Sequence, residues 1–189
     1  GALTAASGAD KLFGREASVY LEGPWGKIGA GRLQQLSAGF GSWGVAAGRI
    51  SPFNHGWGGN AYVGGYKMAF GFNSTRVDNG IAYKSPEFAG ANLYAEYSTN
   101  MNAAAAGSVE NKSSSDRYWG VAATWKNGPW NLYASAEGVN WANTTSPGVK
   151  DALGVTAGGN YNAGFASFYL DGQYFKNVKG MSNNYVPVQ

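Results

Sequence analysis

From residue 16 onwards the chain alternates polar and apolar positions in short runs, and the runs are separated by turn-forming residues. In Glu16 to Glu22, Ala17, Val19 and Leu21 share one side, and Ser18, Tyr20 and Glu22 the other. A period of two marks a strand with one polar face. Gly23-Pro24-Trp25-Gly26 is a tight turn. Lys27 to Arg32 follows with imperfect parity, because Ile28, Ala30 and Arg32 fall together; a bulge, or a strand end at Arg32, would account for it. Clean alternation returns at 76–84, 91–98, 117–126, 130–137, 153–161 and 166–174. Arg76, Asp78, Gly80, Ala82 and Lys84 are expected on one face, and Val77, Ile81 and Tyr83 on the other. Turns are expected at 85–90, 127–129 and 162–164, and longer polar loops near 100–115 and 140–150.

The rhythm stops once, between Leu33 and Thr75. That stretch is rich in Gly, Ser, Asn and aromatic residues and contains neither Asp nor Glu. An unstructured segment this long inside a compact domain calls for a functional loop. Its charges share one sign: residues 23–77 hold Lys27, Arg32, Arg49, Lys67 and Arg76 and no carboxylate.

About eight strands of roughly ten residues, with short turns alternating with long loops, form the pattern of an antiparallel transmembrane β-barrel. Composition agrees. Charged residues are 13% of the 189, while mean hydropathy is −0.29. A soluble domain carries about 25% charged residues. A barrel whose lipid-facing and lumen-facing residues alternate gives low charge without high hydropathy. Trp25, Tyr83, Tyr97, Trp125, Trp130, Tyr161 and Tyr174 stand near strand ends, where interfacial girdles belong. A soluble β-sandwich is the weaker reading, because Ala and Gly are common on the apolar faces. No apolar run is long enough for a membrane helix. The absence of cysteine excludes a disulfide framework and Cys-ligated metals. The net charge of +3 arises from residues 23–77, which carry five basic and no acidic residues while the remainder has 9 basic against 11 acidic, and there is no basic run, so no nucleic-acid partner is expected.

Three stretches resemble the general diffusion porins of Gram-negative bacteria, in the β-proteobacterial branch. They are Phe13-Gly14-Arg15-Glu16-Ala17, Gly31-Arg32 and, most specifically, Arg76-Val77-Asp78-Asn79-Gly80-Ile81-Ala82-Tyr83-Lys84-Ser85-Pro86-Glu87-Phe88-Ala89-Gly90. The resemblance covers nearly the whole chain. It implies an all-β fold in which residues 1–189 are part of a single 16-stranded barrel domain, about eight strands being present. Early strands and the terminal strand of that pattern are not matched, and residue 1 is Gly rather than Met, so the sequence is expected to be an internal fragment. The family's third loop folds into the lumen and narrows the pore, and residues 33–75 occupy its place. Arg32 and Arg76 fall at matching basic wall positions. In that family the loop ordinarily carries carboxylates; here it carries Arg49 and Lys67.

The expected function is therefore an outer-membrane channel for passive diffusion of small hydrophilic solutes and ions, preferring anions. Arg32, Arg49, Lys67 and Arg76 are the candidates for its constriction. The resemblance also implies a homotrimer embedded in outer-membrane lipid. A substrate-specific channel and a small structural or adhesive barrel are the alternatives, although an eight-stranded interior is filled by its own side chains. No enzyme is expected. His55, the one histidine, lacks a fixed partner for base catalysis. Gly-rich 56–59 lacks a strand-to-helix context for phosphate. Scattered carboxylates make no metal cage, and no cofactor is implied.

Overall fold

The computed structural model describes residues 16–38, 41–46, 49, 62–63, 66–67, 76–102, 109–110, 112–142 and 148–177. Ten strands are formed among them: β1 (Ala17–Gly23), β2 (Gly26–Gln34), β3 (Tyr62–Val63), β4 (Tyr66–Lys67), β5 (Arg76–Lys84), β6 (Ala91–Ser98), β7 (Arg117–Asn127), β8 (Trp130–Asn140), β9 (Ala152–Asn162) and β10 (Ser167–Lys176). Eight build one antiparallel sheet in the order β1-β2-β5-β6-β7-β8-β9-β10; β3 and β4 pair only with each other. The eight strands are those the alternation predicts. The prediction misses the short β3–β4 pair, and it starts the long loop too early, because Leu33 and Gln34 still belong to β2.

The order follows from the turns. β1–β2, β5–β6, β7–β8 and β9–β10 are joined by tight connections, which define one end of the sheet. Two girdle side chains are pinned to those turns. The Tyr83 hydroxyl donates to the Trp25 carbonyl over 2.8 Å, and the Trp125 indole N–H donates to the Ala89 carbonyl over 3.2 Å. All the longer connections leave from the opposite end.

The two faces differ in composition and in what covers them. Cross-strand partners share a face, so the register Tyr97↔Trp119, Ala95↔Val121↔Ala136↔Val155↔Tyr174 and Leu93↔Ala123↔Ala134↔Ala157 defines one of them. That face is apolar and open: Leu21 is 73% exposed, Ile81 60% and Leu170 66%. A continuous apolar surface of this kind is suited to hydrocarbon, not water. Tyr83, Trp125, Trp130 and Tyr161 stand at its tight-turn end, and Tyr97, Trp119 and Tyr174 at the other, as two aromatic bands. The other face carries Glu96, Tyr118, Thr124, Ser135, Glu137, Thr156, Asp171 and Gln173, all nearly or fully buried. In most sheet proteins the covered face is the apolar one. Here it is the polar one.

The parity break at Arg32 is a bulge. Gly31 pairs with Gly80 and Leu33 with Val77, so the single residue Arg32 stands opposite both Asp78 and Asn79. The extra residue, Asn79, takes a left-handed backbone with φ of 49°. Below the bulge the face assignment of β5 holds. Above it the count in twos is broken. Val77, not Arg76, fills the fully buried position beside Leu33. Parity with Gly80, Ala82 and Lys84 therefore does not place Arg76.

Within the described sheet, β1 and β10 each have one neighbour. Every unpaired backbone group in hydrocarbon costs several kcal/mol. The 189-residue chain made alone is therefore expected not to refold in detergent to a protease-resistant, heat-modifiable monomer; recovery of such a species would contradict this.

Candidate functional site

The site is built where the chain leaves β2 and crosses the polar face. The Leu36 N–H donates to the Tyr118 hydroxyl over 3.1 Å, and the Ser37 N–H to Glu137 Oε1 over 3.2 Å. The Tyr118 hydroxyl in turn donates to Glu137 Oε1. These contacts join residues 82 and 100 positions apart. They exist because of one glycine. Glu96, Gly120 and Glu137 lie in a single cross-strand row. A Cβ on Gly120 would fall 2.5 Å from the Tyr118 hydroxyl. Without that Cβ, the phenol lies across the row and bridges loop and wall.

The loop then turns back on itself. Ala38 N–H donates to the Gln35 carbonyl over 2.9 Å, and Val45 N–H to the Leu36 carbonyl over 2.7 Å. Leu36, Val45 and Ala46 pack on Ala122 and Tyr133, with Tyr94 against the same cluster. Asn160 of β9 donates to the Arg49 carbonyl over 3.5 Å. Trp43 reaches back over Gly29 of β2, so residues 35–49, as far as they are described, lie against the polar face from β2 to β9. Arg49 stands near the Tyr94 and Tyr133 phenols; burial lowers its pKa, and the two phenols oppose that. A guanidinium keeps its proton at any physiological pH, so the loop brings a fixed positive charge to this face.

The four sequence candidates separate. Arg32 and Arg76 line one small cavity of about 310 Å³ with Asp78, Met101, Asn102, Asp116 and Trp141, at the long-loop end of the sheet. Arg32 forms an ion pair with Asp78, and the cavity's formal charges balance, two arginines against two aspartates. Arg49 is away from this cavity, over β9. Lys67 pairs through its backbone with Tyr62, and its side chain lies outside the described residues. So do His55 and the glycines at 56–59. Of the described residues, none forms a group of three or more His, Cys, Asp or Glu suited to a metal ion.

The alternation over 117–126 and 130–137 sets Tyr118 and Glu137 on the polar side of their strands but does not indicate their role. The signal was present. Pairing outward from the turn sets Asn127 against Trp130, and continuing the count sets Gly120 against Glu137. Two polar residues flanking a glycine across strands mark a place where a side chain can lie flat.

Residues 2–185 match the profile of the Gram-negative porin family. An outer membrane porin protein of Bordetella pertussis is 28% identical over 159 residues, which are 80% of this chain and 39% of that protein. Among solved structures, the anion-selective porin from Comamonas acidovorans superposes with a TM-score of 0.52 at 24% identity, over 90% of this chain and 49% of that one. The chain therefore spans from about two fifths to half the length of these relatives.

Tyr118→Phe removes the acceptor of the Leu36 N–H and leaves Glu137 short of a donor. A buried polar group left unpaired costs about 1–3 kcal/mol. Amide hydrogen exchange at Leu36 and Ser37 is expected to quicken roughly ten- to a hundredfold, since 1.4 kcal/mol is about tenfold. Unchanged exchange would show that the hydroxyl does not hold the loop.

Proposed function

Because this chain belongs to the Gram-negative porin family, we propose that it forms the wall of an outer-membrane channel through which small hydrophilic solutes and ions diffuse passively, with anions preferred. The observation that carries this reading is the inversion of the sheet: an open apolar face with two aromatic bands, and a polar face across which part of the long loop is laid. The first face meets lipid and the second a water-filled lumen. Residues 33–75 then narrow that lumen within a single porin barrel, and the complete protein is a homotrimer. The Comamonas protein is named for anion selectivity. Support in this chain is the charge of residues 23–77, five basic and none acidic.

Within that segment the residues contribute unequally. Arg32 is offset by Asp78, and Arg76 shares its cavity with Asp78 and Asp116. Both still act as wall charges of the constriction, but each acts beside a carboxylate. Arg49 is held over the polar face by loop contacts, and we place it with Lys67 on the constricting loop. Clusters of basic side chains favour anions in water-filled pores, and low-dielectric walls focus their field.

The test is the zero-current potential of the full-length protein in a planar bilayer across a dilute salt gradient. The wild type is expected to read as anion-preferring, and the preference to fade towards 1 M salt, where the Debye length is about 3 Å. Arg49→Glu is expected to move the potential towards cations further than Lys112→Glu, which alters an exposed residue of a long connection. A cation-selective wild type, or equal shifts from both substitutions, would refute the assignment.

A further inference from the structure

One row of the polar face sets two positive charges side by side. Lys27 of β2 and Lys84 of β5 are direct cross-strand partners. Like charges in that relation destabilise a sheet, and among the described residues neither lysine has an ion pair. On its other side Lys27 has Glu22 of β1 as cross-strand partner, and the two form no ion pair among the described residues; aromatic rings flank both lysines. The Lys27 ammonium lies 3.9 Å from the centre of the Tyr20 ring and 5.1 Å from that of Trp43. The Lys84 ammonium lies 5.8 Å from the Tyr94 ring centre. Trp43 belongs to the loop and reaches this row over Gly29, where a Cβ would come within 2.3 Å of the indole.

An ammonium over a ring is attracted by the ring face within about 6 Å. That contact positions the charge without neutralising it. It also leaves N–H donors of each ammonium to point elsewhere. The rings lie on opposite sides of the pair, Tyr20 on β1 and Tyr94 on β6, but the two backbones stand only about 5 Å apart, so a ligand between the flexible lysine side chains can draw both ammonium groups to it. The row lies at the tight-turn end of the polar face, since Lys27 directly follows the first turn and Lys84 ends β5.

We propose that Lys27 and Lys84 form a binding step for multiply charged oxyanions, such as hydrogenphosphate, at the turn-side mouth of the lumen. This rests on the channel reading above and adds a solute class to it. A doubly charged oxyanion offers oxygens to both ammonium groups at once, through charge-assisted hydrogen bonds. Chloride has one charge and no such geometry. Binding must remain weak enough for release, as conduction requires.

The experiment uses the full-length protein in a planar bilayer carrying chloride current. Hydrogenphosphate, added to each side in turn, is expected to reduce that current saturably, and at lower concentration from one side than the other. Lys27→Gln and Lys84→Gln are each expected to raise the half-blocking concentration about tenfold, the effect of one charge-assisted hydrogen bond. Lys126→Gln, at the same end but outside the row, is expected to block like the wild type. A readout without variants accompanies these: in the wild type, sulfate is expected to block and singly charged nitrate not to. Equal block by nitrate, no block by hydrogenphosphate in a conducting wild type, or wild-type block in both glutamine variants would overturn the inference and leave the channel standing. A wild type with no conductance would overturn the channel reading itself, and this inference with it.

Discussion

A peptide group in hydrocarbon has no water to bond, and leaving it unpaired costs several kcal/mol. That constraint organises this chain. Each of the eight strands is paired in register over five to eleven residues with its neighbours, and the connections at one end are cut to the minimum. Apolar residues buried on the covered face form local clusters. The other apolar side chains of the sheet are turned outward, where lipid takes the place of a second layer. Its polar side chains, which would be costly there, are gathered on the opposite face. The aromatic bands mark where the two environments meet.

With polar groups gathered on one face, the loop that crosses it is held by hydrogen bonds as well as by apolar burial. Tyr118 and Glu137 receive the backbone N–H groups of Leu36 and Ser37, and two buried clusters add packing, one around Leu36, Val45 and Tyr133 and one that takes in Trp43 with Leu33 and Val77. Such a strap is specific in position, because each donor has one acceptor. It carries Trp43 to Lys27 and Arg49 to β9, and so decides which charges stand over the polar face. Position along the sheet separates the basic residues into kinds. Arg32 stands beside Asp78 at the long-loop end, while Lys27 and Lys84 stand among rings at the other.

Much of this was legible in the chain. Alternation with period two located all eight strands of the sheet, and turns such as Asn127-Gly128-Pro129 fixed which strands are neighbours. The apolar and polar faces followed from the same count. The count failed where one residue was added: Asn79 broke it, so Arg76 could not be placed by parity, and Val77 took the buried position. The loop anchors were hidden for a different reason. Their partners are 82 and 100 residues away, and no local pattern reports such a distance. The role of Gly120 appears only once the neighbouring strands are in register. The Lys27↔Lys84 pair was out of reach of the same counting, because β2 and β5 are joined by the long loop and no tight turn sets their register.

The account stands on which face meets lipid, and one measurement addresses that directly. These 189 residues contain no cysteine, so in a full-length protein freed of any cysteine elsewhere, single cysteines can be introduced and spin-labelled one at a time at Trp119 and from Val121 to Trp125. After reconstitution, labels at Trp119, Val121, Ala123 and Trp125 should collide with membrane-soluble oxygen. Labels at Ala122 and Thr124 should be shielded from it and follow the water-soluble face; Gly120 is left unlabelled, because a side chain there would meet the Tyr118 hydroxyl. The account predicts that period of two with this phase. The opposite phase, or no alternation at all, would contradict it.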